Sequence, residues 1–165
     1  MIFTDLIVNT WAKYNRGILS TLTINPASYE TEAEFYTRCK EMHADEASPE
    51  FLFQSPNGLP SAIVDDFGLN WDLLTELVRH EKDGHGQAFI SFLKLKGDCS
   101  AEYFDESYIG VAENQVAALE IITDMDVLLK PLPEDLRGYF DFEAYARDLF
   151  LNEYDLFNGF VYRKI

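Results

Sequence analysis

Between Asp98 and Asp155 the chain carries 15 Asp and Glu against three basic residues, Lys130, Arg137 and Arg147, a local balance of −12. The same stretch repeats aromatic residues at helical spacing, from Phe104-Asp105-Glu106-Ser107-Tyr108-Ile109-Gly110 to Tyr139-Phe140-Asp141-Phe142-Glu143-Ala144-Tyr145-Ala146-Arg147-Asp148-Leu149-Phe150-Leu151. Together these features constrain the fold: the carboxylates must ride on the outside of packed elements. A solvating acidic tail would lack the apolar residues, whereas this chain is 47% hydrophobic with 13 Phe, 9 Tyr and 2 Trp. At 165 residues it suits one domain, or a few small subdomains sharing a continuous core.

The whole chain has a formal charge of −16. A surface of that sign repels phosphate backbones, so direct nucleic-acid binding is not expected. Anionic membranes are disfavoured for the same reason. Cys39 and Cys99 are the only cysteines and form no CxxC pair, so neither a disulfide framework nor a zinc site is expected. Met1-Ile2-Phe3-Thr4-Asp5 lacks the basic start of a signal peptide, and no run of 18 apolar residues occurs. A reducing cytoplasm fits these features.

Ile2–Val8 reads as a strand. Gly17 follows Lys13-Tyr14-Asn15-Arg16 at a turn, and Ile18–Ile24 alternates with Thr enrichment, which predicts an antiparallel partner strand ended by Asn25-Pro26. Thr31-Glu32-Ala33-Glu34 fits a capping box for a helix to about His43 that buries Phe35, Cys39 and Met42. Ser48–Gly68 is irregular, with short strands expected at Phe51-Leu52-Phe53 and Ala62-Ile63-Val64 around a Pro/Gly loop. Asn70 caps a predicted helix through Arg79 that buries Leu73, Leu74, Leu77 and Val78. A second helix, Gln87–Lys96, turns Ala88, Phe92 and Leu95 inward and closes at Gly97.

Ser107–Ala112 is a strand candidate. Glu113–Leu129 reads as one helix, with Ala118, Ile121, Ile122, Met125, Leu128 and Leu129 on its core face and Glu113, Glu120 and Asp124 opposite. Asp126 lies on the flank. Pro131-Leu132-Pro133 stops that helix, and Glu134–Tyr139 is a short helical turn. Asp141 caps Phe142–Leu151, which buries Phe142, Tyr145, Ala146 and Leu149 and pairs Glu143 with Arg147. A hairpin about Asn158-Gly159 closes the chain. The fold class is α+β, with expected subdomains at 1–68, 69–103 and 104–165, the middle one helical.

Motifs that carry chemistry are missing. His80 and His85 stand five apart around Gly84, which breaks the HExxH geometry. Asp124-x-Asp126 opens like a calcium loop, but Leu129 and Asp135 replace the Gly and Glu such a loop needs. There is no GxSxG, P-loop or GxGxxG. No enzyme, cofactor or metal is expected.

The run Tyr139–Leu149 resembles the signature Tyr-Ile-Asp-Tyr-Glu-Ala-Tyr-Ala-Arg-Asp-Leu of the ArdA antirestriction proteins of mobile elements. Leu132-Pro133-Glu134-Asp135-Leu136, Phe104 with Tyr108-Ile109-Gly110, and Lys13-Tyr14-Asn15-Arg16-Gly17 match in order. The chain departs from that pattern in Ser48–Gly68, where the Pro/Gly loop looks inserted, and at Trp11-Ala12, where Leu-Gly is usual.

The resemblance implies a non-catalytic mimic of DNA that occupies the DNA-binding groove of type I restriction-modification enzymes. It also implies an elongated chain of small α/β subdomains with short antiparallel sheets, dimerising through its C-terminal part. The expected mimic surface comprises Asp105, Glu106, Glu113, Glu120, Asp124, Asp126, Glu134, Asp135, Glu143 and Asp148. A homodimer at −32, twice the chain's −16, would match the phosphates of about 16 base pairs. The alternative is an acidic interaction module for another basic partner.

Overall fold

The computed structural model describes residues 5–165, apart from the side chains of residues 98–100 and 126. The expected strand residues Ile2, Phe3 and Thr4 lie outside the described residues, as do the side chains of Cys99 and Asp126. The fold is α+β, and the chain divides into two compact units, Met1–Asp98 and Cys99–Ile165.

In the first unit, β1 (Leu6–Thr10) runs into one helical turn, α1 (Trp11–Tyr14), capped by the Thr10 hydroxyl, which accepts from the Lys13 N–H. Then follow β2 (Thr23–Ile24), α2 (Glu32–Met42), β3 (Phe51–Gln54), β4 (Val64–Asp65), β5 (Gly68–Leu69), α3 (Trp71–Lys82) and α4 (Gly86–Lys96). The sheet order is β2-β1-β3, antiparallel throughout, with Leu6 opposite Ile24 and Val8 opposite Phe53.

Of the expected Ile18–Ile24 strand, Thr23 and Ile24 pair with β1, and the Leu22 carbonyl accepts from the Val8 N–H. Ile18 and Leu19 are exposed. The Ile18 carbonyl accepts from the Asn9 side chain, and its N–H donates to the Lys13 carbonyl, so local bonds replace the ladder. Alternation needs a buried face to act on, and that face is absent at 18–22.

Caps fix the helix starts. The Thr31 hydroxyl accepts from the Glu34 N–H, and Glu34 reaches back to the N–H of Glu30, one residue before the position a capping box uses. Asn70 Oδ1 accepts from the Leu73 N–H. Phe35 is fully buried where α2, β3 and α3 meet, with ring centroids 5.7 Å from Phe53 and 5.9 Å from Trp71. Cys39 is buried beside it on α2, and burial pushes its thiol up to about 12, so it packs as a small hydrophobe.

The segment expected to be a strand at Ala62–Val64 is mostly turn, with the Ile63 N–H donating to the Pro60 carbonyl. Val64 and Asp65 pair with Gly68 and Leu69 in a separate two-stranded hairpin. Helix α3 runs past Arg79 to Lys82 and buries His80 against the Phe89 ring, at 4.7 Å. Helix α4 buries Gly86 and Ala88–Leu93 without a break, so it is a core helix rather than a one-sided one, and Leu95 is only half-buried.

The second unit holds α5 (Phe104–Ser107), β6 (Tyr108–Val111), α6 (Gln115–Ile122), α7 (Met125–Leu129), α8 (Phe142–Asn152), β7 (Tyr154–Phe157) and β8 (Phe160–Arg163). Its sheet order is β6-β8-β7, antiparallel. Asn158 (φ 52°) and Gly159 (φ 81°) form the expected tight turn, placing Phe157 opposite Phe160. Replacing Gly159 by Ala puts a Cβ in the left-handed region and is expected to cost about 1–2 kcal/mol. The check is a lower urea midpoint at unchanged slope.

Ala112, Ala118, Phe150, Tyr154 and Val161 form a core flanked by Ile109, Ile122, Leu149 and Leu156. Helix α8 thus buries Ala146 and Phe150, with the expected Phe142, Tyr145 and Leu149 half-buried around them. Lys164 Nζ donates to the carbonyls of Phe150 and Leu151, both at 2.9 Å.

The single helix expected over Glu113–Leu129 is two. Asn114 Oδ1 accepts from the Ala117 N–H and starts α6, so Glu113 precedes the helix. Thr123 is extended (φ −138°, ψ 135°), and Asp124 Oδ1 accepts from the Val127 N–H. A β-branched residue followed by Asp favours a break and a new cap over continued helix. The core face changes accordingly: Leu119 is buried and Ile121 exposed.

Candidate functional site

The expected carboxylates are delivered by several short elements of the second unit. Asp105 and Glu106 sit on α5 between two anchors. Phe104 is buried and stacks on Tyr108 at 5.4 Å, and Ser107 Oγ donates to the Arg163 carbonyl at 2.6 Å. With both flanks tied inward, the two acids between them are exposed.

Glu120 is exposed on α6, whose neighbouring residues Ala118 and Leu119 are buried. Asp124 is exposed but caps α7, so it does not continue a stripe with Glu113 and Glu120. The Asp126 side chain lies outside the described residues. Glu134 and Asp135 are exposed in the first turn of a 3-10 helix, Glu134–Tyr139, which buries nothing. Glu143 is exposed in the first turn of α8, a position the helix dipole favours for an anion.

Packing of α6 on α8 brings Glu113 and Glu143 to one open depression, together with Asn114, Val116, Ala146 and Leu156. Asp148 is exposed, and Arg147 Nε lies 3.9 Å from it; the expected pair of Arg147 with Glu143 does not form. Among the described residues, Glu106, Glu113, Glu120, Glu134, Asp135 and Glu143 make no ion pair.

Two further acids behave differently, one of them, Asp141, as its cap position in the sequence predicts. Asp141 spends one oxygen on the Ala144 N–H as the cap of α8. Asp155 is half-buried with Lys164 Nζ at 3.7 Å. From Cys99 to Ile165 there are 14 Asp and Glu against 5 Lys and Arg, a balance of −9.

In the first unit, the Lys13 ammonium donates to Asp45 Oδ1 at 2.8 Å, lies 2.9 Å from His43 Nδ1 and sits 3.5 Å from Glu46. The bond to Asp45 raises the Lys13 ammonium and holds the Asp45 carboxyl below its ordinary range. Asp45 therefore adds stability above the unfolded value near 4 and loses it as pH falls through the folded one. Lys13 adds stability below about 10.4 and loses it as pH rises through its folded value. The contribution of Asp45 is small because it is mostly exposed. This arrangement explains the Lys13–Gly17 motif structurally: it ties α1 to the end of α2.

Among the described residues, no three His, Cys, Asp or Glu side chains converge as a metal site. His80 is buried and His85 exposed. No described helix is long and apolar enough to cross a membrane.

A protein-family model described as "Antirestriction protein (ArdA)" matches residues 6–162. No curated protein matches the chain. The match spans both units and includes every carboxylate considered above. The chain belongs to the ArdA family of antirestriction proteins.

Proposed function

We propose that this antirestriction protein acts as a DNA mimic, filling the DNA-binding groove of a type I restriction-modification enzyme with carboxylates instead of phosphates. The observation that carries the reading is the set of exposed acids that make no ion pair among the described residues, Glu113, Glu120, Glu134, Asp135 and Glu143, spread over different parts of one acidic unit.

Duplex DNA presents about one charge per 1.7 Å of its axis. Helix α6, eight residues long, spans about 12 Å and contributes one exposed carboxylate, Glu120. No single helix meets that density, so the mimic surface is composite: α5 supplies Asp105 and Glu106, the 3-10 helix Glu134 and Asp135, and α8 Glu143 and Asp148. A homodimer, assembled in the cytoplasm through the second unit, would lengthen the surface. The chain performs no catalysis in this reading.

The test is titration of the protein into a type I restriction enzyme holding labelled cognate duplex, at low and moderate salt. Displacement near stoichiometry that weakens with salt is the expected result. No displacement by folded protein at either salt would instead favour an acidic module for another basic partner.

A further inference from the structure

Residues 41–78 contain eight Asp and Glu and no Lys or Arg. Cations from outside this stretch pair with several of the acids: Lys13 with Asp45 and Glu46, Arg38 with Glu41, and Arg79 with Glu76. Among the described residues, Asp65 and Asp66 have no ion-pair partner. Both stand at the β4–β5 turn beside Phe67, which is 84% exposed.

The turn is held firmly. Asp65 Oδ1 accepts the N–H groups of Phe67 and Gly68, each at 2.9 Å. That leaves Oδ2 of Asp65 and the whole Asp66 carboxylate facing solvent. Trp11 backs the Phe67 ring, with centroids 6.0 Å apart and planes 32° apart, and Tyr14 meets Trp11 edge-on at 5.9 Å. Asp65 and Phe67 also border an open depression of about 440 Å³ with Ala62 and Leu69.

An aromatic ring at a two-residue turn contributes little to the core when it is this exposed, and a polar residue would suit the turn as well. The ring, its aromatic backing and two outward carboxylates form the kind of cluster that anchors protein interfaces. Trp11 and the 48–68 segment are also where the sequence departs from the ArdA pattern, and the two departures touch through Trp11 and Phe67.

We propose that the β4–β5 turn is a docking element for a basic protein surface, seating an arginine or lysine of the restriction-modification enzyme against the Phe67 ring and beside Asp65 and Asp66. This rests on the DNA-groove reading above. Charge decides the occupant. A second copy meeting this turn with its own would set Asp65 and Asp66 against like carboxylates, whereas a cationic side chain satisfies both parts of the cluster. Its stem lies over the aromatic face, and its head group donates to the carboxylates.

The duplex-displacement titration, repeated with Phe67→Ala and with Asp66→Lys, tests this. Phe67→Ala is expected to raise the concentration for half-displacement about tenfold at every salt concentration, because the lost contact is mainly apolar. Asp66→Lys is expected to weaken displacement most at low salt and to flatten its salt dependence. Both variants should keep the circular dichroism spectrum, since both side chains are exposed. If the unaltered protein displaces duplex and both variants match it, the docking element is overturned and the DNA-groove reading stands. Failure of the unaltered protein to displace duplex would overturn that reading itself. A change of oligomeric mass on gel filtration confined to Phe67→Ala would assign the turn to contact between copies and overturn the proposal.

Discussion

Lysine at positions 113, 120 and 143 together, in the triple variant Glu113→Lys, Glu120→Lys, Glu143→Lys, is expected to weaken inhibition of a type I restriction enzyme about a hundredfold. Each reversal removes one attraction to a cationic groove and adds one repulsion, at roughly 0.5 kcal/mol apiece for exposed charges. Three reversals reach about 3 kcal/mol, or about two decades of affinity. The three positions are chosen because their carboxylates carry no structural duty. None makes an ion pair among the described residues, and none caps a helix. Asp124 and Asp141 do cap helices, so reversing them would confound loss of charge with loss of fold. Glu143 sits in the first turn of α8, so lysine there adds a helix-dipole cost of about 0.3–1 kcal/mol, small enough to leave the spectrum native. The readout is the duplex-displacement titration beside circular dichroism. Undiminished inhibition by the folded variant would move the mimic surface away from this part of the second unit.

Phe35→Ala is expected to destabilise the first unit by about 3–5 kcal/mol. Phe35 is fully buried, and its ring meets Tyr29, Tyr36, Phe53 and Trp71 at centroid distances between 5.2 and 6.0 Å. The alanine leaves a cavity where α2, β3 and α3 join and removes aromatic pairs worth about 0.5–1.5 kcal/mol each. Against a total stability of about 5–15 kcal/mol, that loss is a large fraction of the margin. The two tryptophans, Trp11 and Trp71, both belong to the first unit. Tryptophan fluorescence therefore follows its unfolding, while circular dichroism follows both units. In the variant the fluorescence transition should move to much lower urea and part from the second-unit signal. Transitions that stay together would mean that the two units unfold as one.

Local chemistry made much of this fold readable. Thr31, Asn70 and Asp141 are cap residues followed by helical periodicity, and each accepts the backbone N–H its position requires. Asn158-Gly159 supplies the two positive φ angles a tight hairpin needs. What escaped depended on distant packing or on competition between local signals. The alternation at 18–22 carried strand chemistry but had no buried face to use it. Thr123-Asp124 sat inside a pattern that was periodic on both sides, and cap formation won over periodicity. His80 was expected beyond a helix ending at Arg79, but α3 continues to Lys82 and Phe89 covers the imidazole. In the candidate surface, exposure followed from the amphipathic pattern, but the approach of Glu113 and Glu143 to one depression did not. They are far apart in sequence, and only the packing of α6 on α8 unites them. The duties of Asp124 and Asp155 were equally hidden, since a carboxylate without a clear cap position does not announce whether it will cap, pair or face outward.

The C-terminal lysine gives the acidic unit a further property. Lys164 directs its ammonium at the carbonyls of Phe150 and Leu151, 2.9 Å from each, and lies 3.7 Å from Asp155. Arg137 likewise donates to the Leu132 carbonyl, Arg147 lies beside Asp148, and Arg163 lies over the Tyr154 ring. Three of the unit's five cations, Lys164, Arg137 and Arg163, are thus held against its own backbone and rings, whereas Arg147 is largely exposed and Lys130 is exposed with no ion pair among the described residues. The negative field met by an approaching protein is therefore broken at few points, and where the positive charges are fastened shapes it along with how many negative ones surround them.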